Sequence, residues 1–349
     1  MLWHPCCGGP TFVKPKARSK AEKAAAKAYE ASRTAEEKEG FGKALHETMD
    51  LWYAHQGTTV YMLTQLPEGC TRKVGYDDSG WTTYERCSAE QIKKVYLPDA
   101  KWKLVLDLGA ADASGQAAAR RWPVGPEDFD KLIENKQFTN GADKEAVAAL
   151  RRKMSTKQLG GIKELQFFAM ATAPSVKDAL SLGQCLNLCT SLQLLGIGEV
   201  RLSDEACAGL FSILAGGAMP KLEKLCLDGN KIGNEGTKSL STALTSGAMV
   251  QLKSIRLCSN QIGDEGMKAF STALASGAMA QLETLYLGQN QIGDESMKAF
   301  TTALASGATT KLFSLFLYDI PASPAAQQAA RDAINDVVFP RLLKEHYFE

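Results

Sequence analysis

The chain has 349 residues, 45% of them hydrophobic and 23% charged, with a formal net charge of +1. That length exceeds what one ordinary domain needs, so two folded units are expected, and the near-balance of charge gives no global reason to expect nucleic acid or a membrane as partner. The longest apolar stretches, such as residues 167–173, fall far short of the roughly 20 residues a spanning helix requires.

The opening MLWHPCCGGP has no basic flank followed by an apolar run, so it does not read as a secretory signal and a cytoplasmic protein is expected. Nine cysteines, odd in number and scattered, fit reduced thiols better than a disulfide framework. Cys185 and Cys189 lie four apart without a second Cys or His pair at ligand spacing, so no metal site is expected. Cys6 and Cys7 have no neighbouring membrane signal and read as part of a tail. From Lys14 to Lys27 the chain is rich in Ala, Lys and Arg with no apolar face, and residues 1–40 read as a basic tail or loose helix.

Residues 41–155 alternate strands with helices and are expected to form a small α/β domain. Residues 42–55 look helical, and the β-branched run 58–64 reads as a strand broken by Leu66-Pro67. Asp78 or Ser79 can cap a helix reaching about Val95. Lys103 to Leu108 is a second buried-type strand, and helices are expected at about 126–135 and 142–154. His46 and His55 have no Cys or Ser nucleophile motif nearby, and no Gly-rich loop ending in Lys-Ser/Thr appears to cradle phosphate.

Two short features of this region resemble the fungal heterokaryon-incompatibility domain and, more distantly, the Toll/interleukin-1 receptor domain. They are Met49-Asp-Leu-Trp-Tyr-Ala-His followed by the strand at 59–63, and Ser79-Gly-Trp-Thr-Thr-Tyr-Glu85. In Toll-type NAD hydrolases the matching Glu supports cleavage of the glycosidic bond, so the resemblance assigns that role to Glu85, with NAD as substrate and no bound cofactor. A carboxylate suits an oxocarbenium-like state. The first strand of that fold, however, has no counterpart before Phe41. The competing reading makes Trp81 a core anchor and Glu85 a surface helix residue, and a non-enzyme is the leading expectation.

Beyond residue 155 the chain repeats itself with a period of 30 residues. Leu222, Leu252, Leu282 and Leu312 keep one frame, as do Leu225/Ile255/Leu285/Leu315 and Leu227/Leu257/Leu287/Leu317. Asn230, Asn260 and Asn290 follow, then Ile232, Ile262 and Ile292, giving L-x-x-L-x-L-x-x-N-x-I-G-x-E. The Leu pattern makes a short strand with inward side chains, and a buried Asn amide can bond backbone where the chain bends away. A helix is expected after each strand because Met267, Phe270, Ala273 and Leu274 recur at helical spacing. Gly247, Gly277 and Gly307 stand where a helix end needs a left-handed residue. Earlier coils are degenerate, with Val200 and Met170 in place of Asn. At the far end Ile320, Pro321 and Pro324 interrupt the pattern before a capping helix at 325–343 within residues 321–349.

Residues 160–320 therefore resemble the leucine-rich repeats of ribonuclease-inhibitor type. That resemblance implies an α/β horseshoe with parallel strands on the concave face and helices outside. The Ser-Gly-Ala-Met stretch that lengthens each unit is expected to be a longer return loop.

Strand side chains alternate, so the non-Leu positions should line the concave surface. One column is Gly196, Cys226, Arg256, Tyr286 and Phe316, and the next is Gly198, Asp228, Cys258, Gly288 and Tyr318. Aromatic and Arg side chains anchor protein interfaces. Arg256, Tyr286, Phe316 and Tyr318 are thus the candidate contacts for a protein partner, unless Phe316 and Tyr318 pack under the cap and Arg256 serves only a surface ion pair. Asn230, Asn260 and Asn290 should be structural. The expected function is a protein-interaction module or scaffold; nothing in the sequence fixes its oligomeric state.

Overall fold

A computed structural model describes residues 74–92, 121–138, 143–168, 172–216 and 219–347, with short pieces near 34–37 and 60–62, the strand 105–107 and a few isolated positions. The basic stretch 14–27 and the expected helix 42–55 lie outside the described residues.

The N-terminal unit contains β1 (Val60–Met62), α1 (Gly80–Ile92), β2 (Val105–Asp107), α2 (Pro126–Ile133) and α3 (Asp143–Gly161). The two strands run parallel, Val60 opposite Val105. Pro at the first position of α2 loses no helical hydrogen bond there, and Phe129 and Ile133 on one face pack with Tyr84, Cys87, Val147, Leu150 and Met154. The helix expected at 142–154 runs on to Gly161 because Leu159, a further apolar residue in phase, is buried in the neighbouring core.

The repeats follow as β3 (Glu164–Phe168), α4 (Val176–Leu186), β4 (Leu194–Gly198), α5 (Asp204–Leu214), β5 (Lys224–Cys226), α6 (Asn234–Thr245), β6 (Ser254–Arg256), α7 (Asp264–Ala275), β7 (Thr284–Tyr286), α8 (Asp294–Ala305), β8 (Ser314–Phe316) and α9 (Pro324–Tyr347). Strands β3 to β8 form one parallel sheet in chain order. Each pair is registered one period apart, as in Leu225 opposite Ile255 and Leu285 opposite Leu315. Parallel neighbours require a crossover, and here every crossover is a helix. This α/β architecture matches the leucine-rich-repeat horseshoe.

A single apolar cluster runs from Trp122 and Leu159 to Ile334 and takes in the three leucine columns, with Leu315 packed part-buried against it. The Ser-Gly-Ala-Met stretch is a return loop anchored in it by Met249 and Met279: Gly247, Gly277 and Gly307 take φ near +80°, turning the chain back toward the core. At the far end α9 begins at Pro324 and buries Ala330, Ala333 and Ile334 against that core.

The three asparagines form the expected ladder. Asn260 donates to Leu227 O at 3.0 Å and Leu257 O at 3.1 Å and accepts from Ile232 N at 3.1 Å. Asn230 and Asn290 repeat this pattern with their own neighbours. The residue before each Asn is left-handed, with φ of 68° at Gly229 and 56° at Ser259 and Gln289. The side-chain amide thus satisfies backbone groups where the bend removes them from the sheet.

A second ladder runs along the helix starts. Helices α6, α7 and α8 have glycine at the N-cap position and no cap of their own. The preceding coil supplies one: Asp204 accepts from Gly233 N at 2.8 Å and Gly236 N at 2.6 Å, Asn234 from Gly263 N and Gly266 N, and Asp264 from Gly293 N at 2.8 Å. Asp294 does the same for Ser323 N at 2.6 Å. Orphan amides at a helix start are therefore met from the neighbouring coil.

The hydrogen bond from the Ser296 hydroxyl, with the Gly293 amide and Lys268, holds the Asp264 carboxyl below its ordinary pKa. A depressed carboxylate contributes stability above the unfolded pKa and loses it as pH falls through the lower folded value, so the loss lies below about pH 4. Asp264→Asn, which copies the neutral Asn234, should fold at pH 7 and flatten the acid limb of a denaturation-midpoint curve measured from pH 7 to 3. An unchanged acid limb would refute this.

The N-terminal unit meets the first repeat through residues 121–125. Trp122 packs on Phe167 with ring centroids 5.5 Å apart, and its indole N–H donates to Thr172 O at 3.0 Å. Gly125 N donates to Ser181 Oγ at 2.8 Å.

Candidate functional site

The sheet sets its side chains out in rows. Cys226, Arg256, Tyr286 and Phe316 are direct strand-to-strand partners, which brings together three of the four candidate contacts in one line. Tyr286 and Phe316 stack with ring centroids 4.3 Å apart and planes 2° from parallel, close to the spacing between neighbouring strands. On the other side of Tyr286 the Arg256 guanidinium lies 4.9 Å from the ring centroid.

Arg256 is held from behind. Its Nε donates to Asp228 Oδ2 at 2.6 Å, and Asp228 Oδ1 accepts from Cys258 N at 2.8 Å. The ion-pair partner of Arg256 is thus Asp228. Hydrogen bonding to that carboxylate raises the guanidinium pKa further. An exposed pair of this kind contributes little stability on its own, so its effect is to hold the Arg256 guanidinium over the Tyr286 ring.

Tyr318 lies in the next column. Its ring covers Gly288, where an added Cβ would stand 2.5 Å from Tyr318 Cε1, so glycine is required for that contact. Interaction with the Cys258 thiol pushes the Tyr318 phenol pKa up. At the opposite end of the sheet Phe168 covers Gly196 and Gly198 in the same manner, and there the protein fills its own concave surface.

The C-terminal end is not filled. Phe316 is 41%, Tyr318 47% and Phe313 63% exposed. Neither Phe316 nor Tyr318 is enclosed by α9. Among the described residues only two other large hydrophobic side chains, Val176 and Val250, are comparably exposed, so the exposed apolar surface is concentrated on one repeat. Phe313 was not visible as a contact in the sequence because its column otherwise holds Lys253, Glu223 and Glu283; the signal was that one position breaks a charged column.

In the N-terminal unit Glu85 sits half-buried on α1. Trp81, one turn earlier, packs against the Tyr84 cluster and donates from Nε1 to Asp143 Oδ2 at 3.1 Å, which is a structural anchor's role. The deeply buried acid of this helix is instead Glu90, paired with Arg86 at 3.3 Å and Arg121 at 3.4 Å. Burial raises the Cys87 thiol to about 11 and also raises those of Cys189 and Cys207. Such thiols stay protonated and are core groups rather than nucleophiles. Among the described residues the cysteines are free, and no helix is long and apolar enough to cross a membrane.

A leucine-rich-repeat family model matches residues 218–241, 252–271 and 280–300. No curated protein matches the chain. Among solved structures it is similar to the tropomodulin C-terminal domain of Caenorhabditis elegans, at 14% identity over 50% of this chain and 100% of that one, with a TM-score of 0.39. It is also similar to the actin-binding site 2 region of leiomodin-1, at 15% identity over 50% of this chain and 95% of that one, with a TM-score of 0.39. Internalin C2 of Listeria monocytogenes shares 22% identity over 50% of this chain and 80% of that one, with a TM-score of 0.29.

Proposed function

We propose that this protein is an interaction module, and a scaffold in that sense, whose concave strand surface docks a partner protein through Arg256, Tyr286, Phe316 and Tyr318. The observation that carries the reading is the exposure of the aromatic rings at the C-terminal end of the parallel sheet. A surface of this kind favours binding because stacked rings lose few rotamers on contact. Full helices after every strand support reading the repeats as ribonuclease-inhibitor type, and the free thiols support a reducing, cytoplasmic setting.

The test compares proteins captured by the wild-type chain with those captured by Tyr286→Ala combined with Phe316→Ala, two side chains outside the buried core. Loss of two anchors is expected to lower affinity for a partner about 30-fold, so the captured set should shrink in the double variant. Identical sets would exclude the concave surface.

A further inference from the structure

Resting on that reading, we propose that the middle of the concave surface receives an acidic side chain of the partner protein, its carboxylate held between Arg256 and Lys224. Strand register brings these two cations together. Lys224 is paired across β5 and β6 with Ser254, and Cys226 with Arg256, and strand side chains two residues apart share a face. Lys224 and Arg256 therefore stand one strand, about 4.8 Å, and one side-chain repeat, about 6.6 Å, from each other, with Ser254 next to both.

Each of the three has bonding capacity left over. Arg256 uses only its Nε, toward Asp228 Oδ2, and lies over the Tyr286 ring. Its Nη1 and Nη2 have no partner among the described residues, and the side chain is 50% exposed. Those two terminal nitrogens are the end-on fork of a guanidinium, which matches the two oxygens of one carboxylate. Lys224 is exposed without an ion pair, and the half-buried Ser254 has no partner for its hydroxyl, again among the described residues.

Charge selects an acid for that position, and a carboxylate over a phosphate. Asp228 is engaged through both oxygens, with Arg256 Nε and Cys258 N, and Glu223 is paired with Lys253 at 3.3 Å. Lys224, Arg256 and Asp228 together carry one surplus positive charge, which a single carboxylate cancels. A phosphate monoester brings nearly two negative charges and would be repelled by Asp228. Tyr286 and Phe316, next along the row, are placed to meet the apolar neighbours of that acidic residue.

The full chain is tested against immobilised peptides of alternating glutamate and leucine, against versions with glutamine or phosphoserine in place of glutamate, and against single-stranded oligothymidine. Glutamine keeps the planar shape and removes the charge. The glutamate peptide should bind about tenfold tighter than the glutamine peptide, and Lys224→Ala should erode that preference. Arg256→Lys, which keeps the charge and removes the fork, should erode it too. Equal binding of the glutamate and glutamine peptides, a preference that survives Arg256→Lys, or tighter binding of the phosphoserine peptide or the oligonucleotide would overturn the proposal. If the double variant loses captured proteins while glutamate and glutamine bind alike, the acidic residue is wrong and the docking surface stands. Identical captured sets would remove both.

Discussion

Asn260→Ala is expected to destabilise the repeats by about 3 kcal/mol, since it strands the buried Ile232 amide, halves the side-chain bonding of two buried carbonyls and leaves a cavity. The lost side chain leaves Ile232 N without its acceptor and takes one bond each from Leu227 O and Leu257 O, which keep those from Asn230 and Asn290, in a region from which water is excluded. Asn260→Asp should fare no better, because a carboxylate can accept from Ile232 N but cannot donate to two carbonyls, and it buries a charge. The measurement is chemical denaturation followed by hydrogen exchange at single residues. In a solenoid each coil depends chiefly on its neighbours, so protection should fall most in the coils on either side of Asn260. A loss below about 1 kcal/mol, the net worth of one ordinary hydrogen bond, would mean the ladder is not what holds adjacent coils together.

That ladder was legible from sequence because its residue type repeats at a fixed position and its chemistry is local. The same holds for the leucine columns, the turn glycines and the rows of the concave surface, whose strand register follows directly from the 30-residue period. The cap ladder of Asp204, Asn234, Asp264 and Asp294 has the same period and was missed. Each of these residues opens its own helix, where an acidic or amide side chain looks like an ordinary first-turn residue; its true acceptor role is toward the next coil, which a reading along one helix does not show. Had the column been compared across coils, the glycines at 233, 263 and 293 would have exposed helices lacking caps.

The candidate contacts were less completely readable. Alternation placed Arg256, Tyr286 and Phe316 in one row, but side-chain direction decided which acid held Arg256 and whether the rings lay open or covered. The glycines at 196, 198 and 288 look alike in sequence and serve two different rings, Phe168 at one end and Tyr318 at the other. The N-terminal unit has no repeat to average over. There a motif-based reading drew attention to Glu85, while the buried polar groups of α1 are Thr83 and Arg86 to either side of it and Ser88, Glu90 and Gln91 on its later turns.

Those groups lead to the other large expected effect, at Arg151. It is a fully buried cation on α3, donating to Gln91 Oε1 at 2.9 Å and Val124 O at 3.0 Å and lying 5.5 Å from the centroid of the Phe129 ring. One side chain thereby ties α1, α2, α3 and the 121–125 segment that abuts the first repeat. Arg151→Ala should cost about 4 kcal/mol, combining a large cavity with acceptors left dry. Arg151→Met, which keeps most of the volume and removes a buried charge that is expensive to hold, should cost less. Because the repeats pack around their own core, the damage should stay local: in Arg151→Ala, exchange protection along α1 is expected to collapse while residues 222–317 keep theirs. Uniform loss across both regions would instead make the N-terminal unit and the horseshoe one cooperative structure, with Arg151 at its centre.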